Sequence, residues 1–531
     1  MLSTLKFRLA LLAIGLTWIG LRVVYWNGYY TEDAPGYVTD AIWMALGNYH
    51  ARDYVNGLNI GTYLPVALPI RFFGKSEIAL SLWPISCSLL GMVSLAGLSG
   101  ILFGRPFGLL AALLYATYPG DVFFSTVVMP DSLQAGWLSF SVFLIALSSV
   151  RPAYQKRLIL VGGGVAMGVC HLIRANDVIL LPVGVCAVAI FSRMWKRDTS
   201  AALVRGCLAY LSGWALVYAL EGLAYLWAVQ DFFLRFHVVN RHYGTVDSIT
   251  QSGLNTDPST IPFSIFSPIM WWTRGGWGHL NQDQAYHALL FCWALVSLLI
   301  GFVALKAGKG RAPDRAVAGF VVAALWFSWP LLYHQFGSQS ATHFVPMHRL
   351  SRHLVVYAPG AVFATVAGCF FIRELTGTWR FASGRRALMA VGSAILLIRL
   401  YFNWRGEQIA YGAYQRIKGT YSRIREHLPR GVQTVVGDPG DLCFFDFWLN
   451  PLGAEQVRMV AFANYSGCEE LQGGVVLTQS NPGWEAIGAP VIQETVKRLP
   501  CLLHPPPSWR LLYDGYPEKV YLIGSGGDAR R

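Results

Sequence analysis

SEIALSLWPISCSLLGMVSLAGLSGILFGRPFGLLAALLYATYPGDVFFSTVVMPDSLQAGWLSFSVFLIALSSV, residues 76–150, carries only four charges, Glu77, Arg105, Asp121 and Asp131. A soluble helix shows charge on one face at every turn, whereas here each charge falls at the end of a tract long enough to cross the hydrocarbon core of a bilayer. Working outward, the same pattern recurs to residue 402, and eleven spans are expected: 5–26, 78–103, 107–128, 131–150, 157–173, 178–192, 204–229, 286–305, 316–334, 354–372 and 387–402. The run TYLPVALPIRFF at 62–73 is shorter and holds two prolines and Arg71, so it reads as an interfacial helix. Over all 531 residues, 54% are hydrophobic and only 13% charged, against about 25% in a soluble domain. Disordered, collagen-like and disulfide-scaffold classes are excluded by the same numbers.

The formal charge of +13 is not that of a nucleic-acid binder, because of where it lies. Residues 403–531 hold 13 basic and 13 acidic groups, and residues 1–402 hold 29 and 16. With the N-terminus inside, the inner segments contain eighteen Lys and Arg against three acids, and the outer segments before residue 403 contain nine against twelve. Basic loops stay cytoplasmic. The expected protein is therefore a polytopic α-helical membrane protein with about eleven transmembrane helices over 1–402, a cytoplasmic N-terminus and a retained first span. Its first outer loop covers 27–77, a later one covers 230–285, and residues 403–531 form a small C-terminal α/β domain outside.

All twelve histidines fall on the outer side in this topology. His334, His343, His348 and His353 match no zinc spacing, and His237 and His242, at i and i+5, are poorly placed to share a metal. Of three cysteines in the tail, Cys443, Cys468 and Cys501, two can pair in an oxidising compartment, and spacing does not say which. GGGVAMG at 162–168 lies within a span, where small residues serve close helix packing.

Acidic residues gather at the outer ends of spans. Glu32 and Asp33 follow span 1, Asp131 follows Pro130 at the start of span 4, and Asp121 is a weaker candidate ten residues before it. A carboxylate there can act as a general base or simply as a helix N-terminal charge. The order of elements adds to this. EDAPGYVTDAIWMALGNYHARDY at 32–54, TYLPVALPIRFFGKSEIALSLWPISCSLLG at 62–91 and FGRPFGLLAALLYATYPGDVFFSTVVMPDSL at 103–133 resemble the GT-C membrane glycosyltransferases, in particular the protein mannosyltransferase and aminoarabinose (lipid A) transferase group. LIRANDVILLPVG at 172–184 and MHRLSRHLVVYAPG at 347–360 extend the likeness, with His353 standing where the group has an aromatic Tyr.

The resemblance implies a GT-C-like architecture and inverting transfer of a sugar from a polyprenyl-phosphate donor to a glycolipid, glycan or protein acceptor outside the cytoplasm. Membrane lipids are the other partners. It assigns the general base to Asp33 with Glu32 as its alternative, and Asp131 as a second carboxylate. Donor phosphate falls to Arg352, Arg349, Arg174 and Arg241, with Arg235 a further candidate, and substrate contacts fall to Tyr37, Tyr63 and His353. Members differ in metal use, so no cofactor is assigned and a divalent metal stays open. A bacterial inner (plasma) membrane is the expected location. The competing classes are a transporter or flippase, for which the intramembrane Glu221 would serve, and a lipid-linked oligosaccharide ligase or polymerase.

Overall fold

The computed structural model describes residues 4–29, 34–48, 56–244, 282–307, 312–336, 355–377 and much of 394–523. Contacts divide the chain into two compact units, one of residues 1–28, 50–66 and 81–411, the other of residues 29–49, 67–80 and 412–531.

The first unit is helical: α1 (Thr4–Val24), most of α4 (Glu77–Phe103), α5 (Arg105–Ala116), α6 (Pro119–Phe124), α7 (Pro130–Ser148), α8 (Ala153–Ile173), α9 (Leu181–Ile190), α10 (Ser200–Val229), α11 (Leu234–Gly244), α12 (Gln282–Ala307), α13 (Asp314–Phe336) and α14 (Ala358–Gly377). Between α1 and α4 the chain also forms α2 (Ala34–Ala45) and α3 (Ile60–Phe73). Among the described residues, eight helices are long and apolar enough to cross a membrane, and the chain is a multi-pass membrane protein. They differ in what solvates them. Most residues of the span Val355–Glu374 are buried in protein, while Leu5–Val24 and Ser200–Val229 are mostly uncovered and present leucines such as Leu12, Leu16, Leu216 and Leu223 outward. Those outward faces are satisfied by lipid, which solvates apolar side chains as well as a core does.

Three of the eleven expected spans need comment. The one expected at 107–128 is not a single helix: α5 stops at Ala116 and α6 restarts at Pro119, with Tyr118 extended at φ −78°, ψ 117°. Proline has no N–H and disfavours helix in the residue before it, so Tyr-Pro at 118–119 breaks the run. The span at 286–305 lies within α12, and the one at 387–402 falls largely outside the described residues. The short run at 62–73 does form a helix, α3, in spite of Pro65 and Pro69. Pro65 cannot donate to the carbonyl of Gly61, and the indole Nε1 of Trp83 donates to that oxygen instead, at 3.1 Å. Tyr63, Val66, Ala67 and Ile70 are buried while Leu64, Leu68, Phe72 and Phe73 are exposed, the two-faced pattern of a helix lying along a lipid surface.

Small residues let helices meet closely. A Cβ on Gly164 would come within 1.9 Å of the Tyr210 carbonyl, and one on Gly213 within 2.1 Å of the Val161 carbonyl, so α8 and α10 touch backbone to backbone. The glycine-rich run in span 5 is thus a packing surface.

In the second unit, β1 (Thr434–Gly437), β2 (Arg458–Ala461), β3 (Gly474–Gln479), β4 (Trp509–Gly515) and β5 (Glu518–Ile523) form a mixed sheet of order β2-β1-β3-β5-β4. β1 is parallel to β2 and β3, and β5 pairs antiparallel with β3 and β4. The parallel step from β1 to β2 is made through helix α15 (Pro439–Leu449), as parallel neighbours require a crossover. Val436, Val460, Val476, Leu499 and Tyr521 fill one core. Cys468 and Cys501 are joined by a disulfide.

Candidate active site

Asp131 stands in the first turn of α7, after Pro130 at N1 and Met129 in extended backbone. A proline at N1 removes a donor that has no partner there anyway, and a carboxylate in that turn meets the positive end of the helix dipole. The side chain is fully buried, and Arg174 reaches its Oδ1 from 3.3 Å. Arg174 is the residue at which α8 ends, extended at φ −155°, ψ 129°, and its side chain remains 22% exposed. Asp131, expected as a second carboxylate, and Arg174, expected at the donor phosphate, are therefore partners in a charge-assisted contact.

Neighbouring helices fix this pair in place. Thr62 Oγ1 on α3 donates to the carbonyl of Ile173, 3.1 Å away, next to Arg174. Ile173, Leu133 and Cys87 form a small buried cluster with Trp83, Trp137 and Val169 around it, so α4, α7 and α8 converge there. Tyr63, one residue after Thr62, is fully buried and its hydroxyl donates to the Gly57 carbonyl at 2.7 Å.

Arg235 does not reach outward. It is 5% exposed, bonds Glu221 through Nε and Nη2, and also donates to the Leu58 carbonyl. His171 Nε2 lies 3.7 Å from the other Glu221 oxygen. Burial acts against the charge on Arg235, but the adjacent Glu221 carboxylate outweighs it and holds the guanidinium pKa above its ordinary value. The cation thus anchors the start of α11 while Leu234 and Val238 pack with Leu58 and Tyr225. Arg241, two turns further along α11, is exposed.

A second buried pair was not singled out in the sequence. Arg22, near the end of α1, meets Asp121 in the first turn of α6, and both side chains are within 3% of complete burial. Ser88 donates to Asp121 Oδ2 at 2.5 Å and Tyr115 to Oδ1 at 3.0 Å, while Arg22 also donates to Ser88 Oγ and to the carbonyls of Trp18 and Ala116. Its guanidinium covers the Trp18 ring at 4.5 Å. Asp121 is thereby closed off from any acceptor. The available signal was Arg22 itself, an ionisable residue inside the first apolar tract, which calls for a partner.

The Phe73-Gly74-Lys75-Ser76-Glu77 element has an architectural reading. Gly74, at φ +73°, makes the left-handed turn that ends α3, and Ser76 Oγ accepts from Ala79 N at 3.2 Å to cap α4. Within the second unit, Glu77 accepts from Tyr29 N at 3.1 Å and pairs with Lys418. Lys75 Nζ donates to the Asp446 carbonyl at 2.9 Å, and Tyr29 stacks on Phe447 at 4.3 Å. Burial pushes the Lys75 pKa down from 10.5, an effect that Asp446 partly offsets. Tyr37, on α2, is 2% exposed. Glu32, Asp33, Arg349, Arg352 and His353 lie outside the described residues.

Residues 62–218 match the family model of dolichyl-phosphate-mannose-protein mannosyltransferases. No curated protein sequence matches the chain. Among solved structures, ArnT from Cupriavidus metallidurans bound to undecaprenyl phosphate superposes with a TM-score of 0.55 at 14% identity, over 96% of this chain and 97% of that one. An Archaeoglobus fulgidus oligosaccharyltransferase tethered to an acceptor peptide gives 0.56 at 10% identity, over 98% of this chain and 74% of that one. The resemblance to the GT-C group is thus shown, by the family model over 62–218 and by the fold along nearly the whole chain.

Proposed function

We propose that this protein transfers a sugar from a polyprenyl-phosphate-linked donor to an acceptor on the outer side of a bacterial inner membrane. One observation carries the reading: the segment matched by the family model holds α7 and α8, whose meeting ends set a partly exposed arginine against a buried, helix-terminal carboxylate. The fold is shared with a protein crystallised with undecaprenyl phosphate, and an enzyme handling such a lipid needs cations for the phosphate that leaves.

In this reading Asp33, or its neighbour Glu32, takes the proton from the acceptor hydroxyl. The oxygen then attacks the anomeric carbon, the bond from that carbon to the phosphate oxygen breaks, and the configuration inverts. The departing phosphate gathers negative charge, which guanidinium donors stabilise through planar, bidentate bonds. Arg352, Arg349, Arg174 and Arg241 fill that role. Asp131 holds Arg174 in position. Tyr37, Tyr63 and His353 belong to the substrate-binding set, Tyr63 by supporting the loop at Gly57. The acceptor is a glycolipid, a glycan or a protein. Residues 1–402 form the catalytic membrane domain and 403–531 an extracytoplasmic one.

The test uses full-length protein in lipid with a panel of radiolabelled polyprenyl-phosphate sugars, wild type beside Asp33→Asn. Donor-dependent release of polyprenyl phosphate, lost in the variant while donor binding persists, is the expected result. Undiminished turnover in Asp33→Asn removes Asp33 as the base and turns attention to Glu32 and Asp131, and no consumption of any donor with any of the three acceptor classes removes the transferase reading.

A further inference from the structure

A cavity of about 580 Å³ opens between the loop that joins α7 to α8 and the turn that leads into α10, at the end of the helices opposite Arg174. Arg151, Lys156, Arg157, Lys196 and Arg205 line it, with Asp198 its one carboxylate. Asp198 is balanced by Lys156. Among the described residues, Arg151 and Arg157 have no carboxylate partner, Lys196 faces the Trp195 ring at 5.4 Å, and Arg205 Nε bonds only the Ala201 carbonyl at 3.2 Å. Basic loops in general orient a membrane protein, but orientation does not require that five cations close around one space.

Two helix ends add to the field. Leu160 lies beside Gly206, Gly164 beside Tyr210 and Gly168 beside Val217, so α8 and α10 run parallel and their N-terminal turns lie on the same side, at the cavity. Each contributes the partial positive charge of a helix N-terminus, although at α10 the Thr199 hydroxyl already accepts from Ala202 N at 3.3 Å. α8 starts without a side-chain cap.

The cavity is not a purely aqueous one. Its walls include Leu160 and Gly206, and on the next strip of each helix Leu158 is 73% exposed, Val204 55% and Leu208 59%. These apolar residues continue from the cations along membrane-spanning helices. A soluble anion has no use for them, whereas a phospholipid needs both, a basic site for its phosphate and an apolar surface for its chains. We infer that this cavity binds the phosphate headgroup of an anionic membrane lipid, on the side of the membrane away from the Arg174–Asp131 pair. The inference does not depend on the proposed glycosyl transfer.

It is tested with lipid-stripped full-length protein in detergent, titrated with phosphatidylglycerol, phosphatidylcholine and inorganic phosphate, with lipid adducts counted by native mass spectrometry. Phosphatidylglycerol is expected to bind in preference to phosphatidylcholine. The combined Arg151→Gln, Arg157→Gln, Arg205→Gln variant should lose that preference by roughly a hundredfold, at about fivefold per cation near a membrane surface. The matching triple lysine variant should keep most of it, and Lys6→Gln with Arg8→Gln, at the start of α1 and outside the cavity lining, should change nothing. If the triple glutamine protein does not fold, Arg157→Gln alone reads the same contact at about fivefold. Equal binding of the two lipids, wild-type affinity in the glutamine variants, or an equal loss in the control variant overturns the inference. Displacement of the lipid by millimolar inorganic phosphate would instead identify a site for soluble anions and overturn it as well.

Discussion

Asp121 and Asp131 make a natural pair for comparison. Each follows a proline into the first turn of a helix, each is fully buried, and each faces an arginine from another helix. They differ in what surrounds the cation. Arg22 is 3% exposed in its side chain and bonds two carbonyls and Ser88 besides its carboxylate, whereas Arg174 keeps 22% of its side chain exposed and stands 3.3 Å from Asp131. The first is a closed network that ties α1, α4, α5 and α6 together. The second retains a partly solvated guanidinium, the condition for meeting a ligand. The two buried charge pairs thus differ in the access left to the cation.

The comparison breaks most sharply on stability. Arg22→Met or Asp121→Asn leaves an uncompensated polar group in a dry interior, and each should destabilise the protein by about 3–5 kcal/mol, read as a loss of folded yield and a lower Tm in detergent. Replacing both at once, as Arg22→Met with Asp121→Leu, should recover much of that loss. If Asp131→Asn proves as damaging as Asp121→Asn, the distinction fails. Arg174→Gln is expected to lower turnover about 10- to 100-fold through one charge-assisted bond, with a smaller fall in Tm than Arg22→Met because water reaches the Arg174 side of the pair. Ser88→Ala sharpens the first half of the contrast, since it removes a donor to Asp121 and an acceptor from Arg22, at a cost of about 1–2 kcal/mol.

The smallest effect concerns a third cation, in the other unit. Lys75 has a pKa lowered from 10.5, first by burial, with Asp446 opposing. Between the lowered value and 10.5 the unfolded chain holds a proton that the folded chain has released, so stability rises with pH across that window. Tm measured against pH should climb more steeply in wild type than in Lys75→Met. Identical slopes would show that Lys75 titrates alike in both states.

Much of this was legible beforehand, for local reasons. A tract of apolar residues has few options other than lipid or a core, and Pro-Asp at 130–131, followed by an apolar tract, suits the first turn of a helix. The likeness to GT-C enzymes was also carried by short-range order, Pro-rich helix, Phe-Gly-Lys-Ser-Glu, Pro-Asp, and it survives in the structure because those elements are helix starts and stops. The third span was misread because hydropathy averages over Tyr118-Pro119, where the backbone cannot remain helical.

What the sequence by itself determined is the solvent of each segment and the helix boundaries that proline, glycine and serine impose. Those are properties of residues and near neighbours. Only the tertiary structure decided that Arg22 meets Asp121 across 99 residues, that Arg174 meets Asp131 across 43, that Arg235 turns inward to Glu221, and that Cys468 joins Cys501. Burying a charge is unfavourable until its counter-charge arrives, and which counter-charge arrives depends on how helices distant in sequence pack.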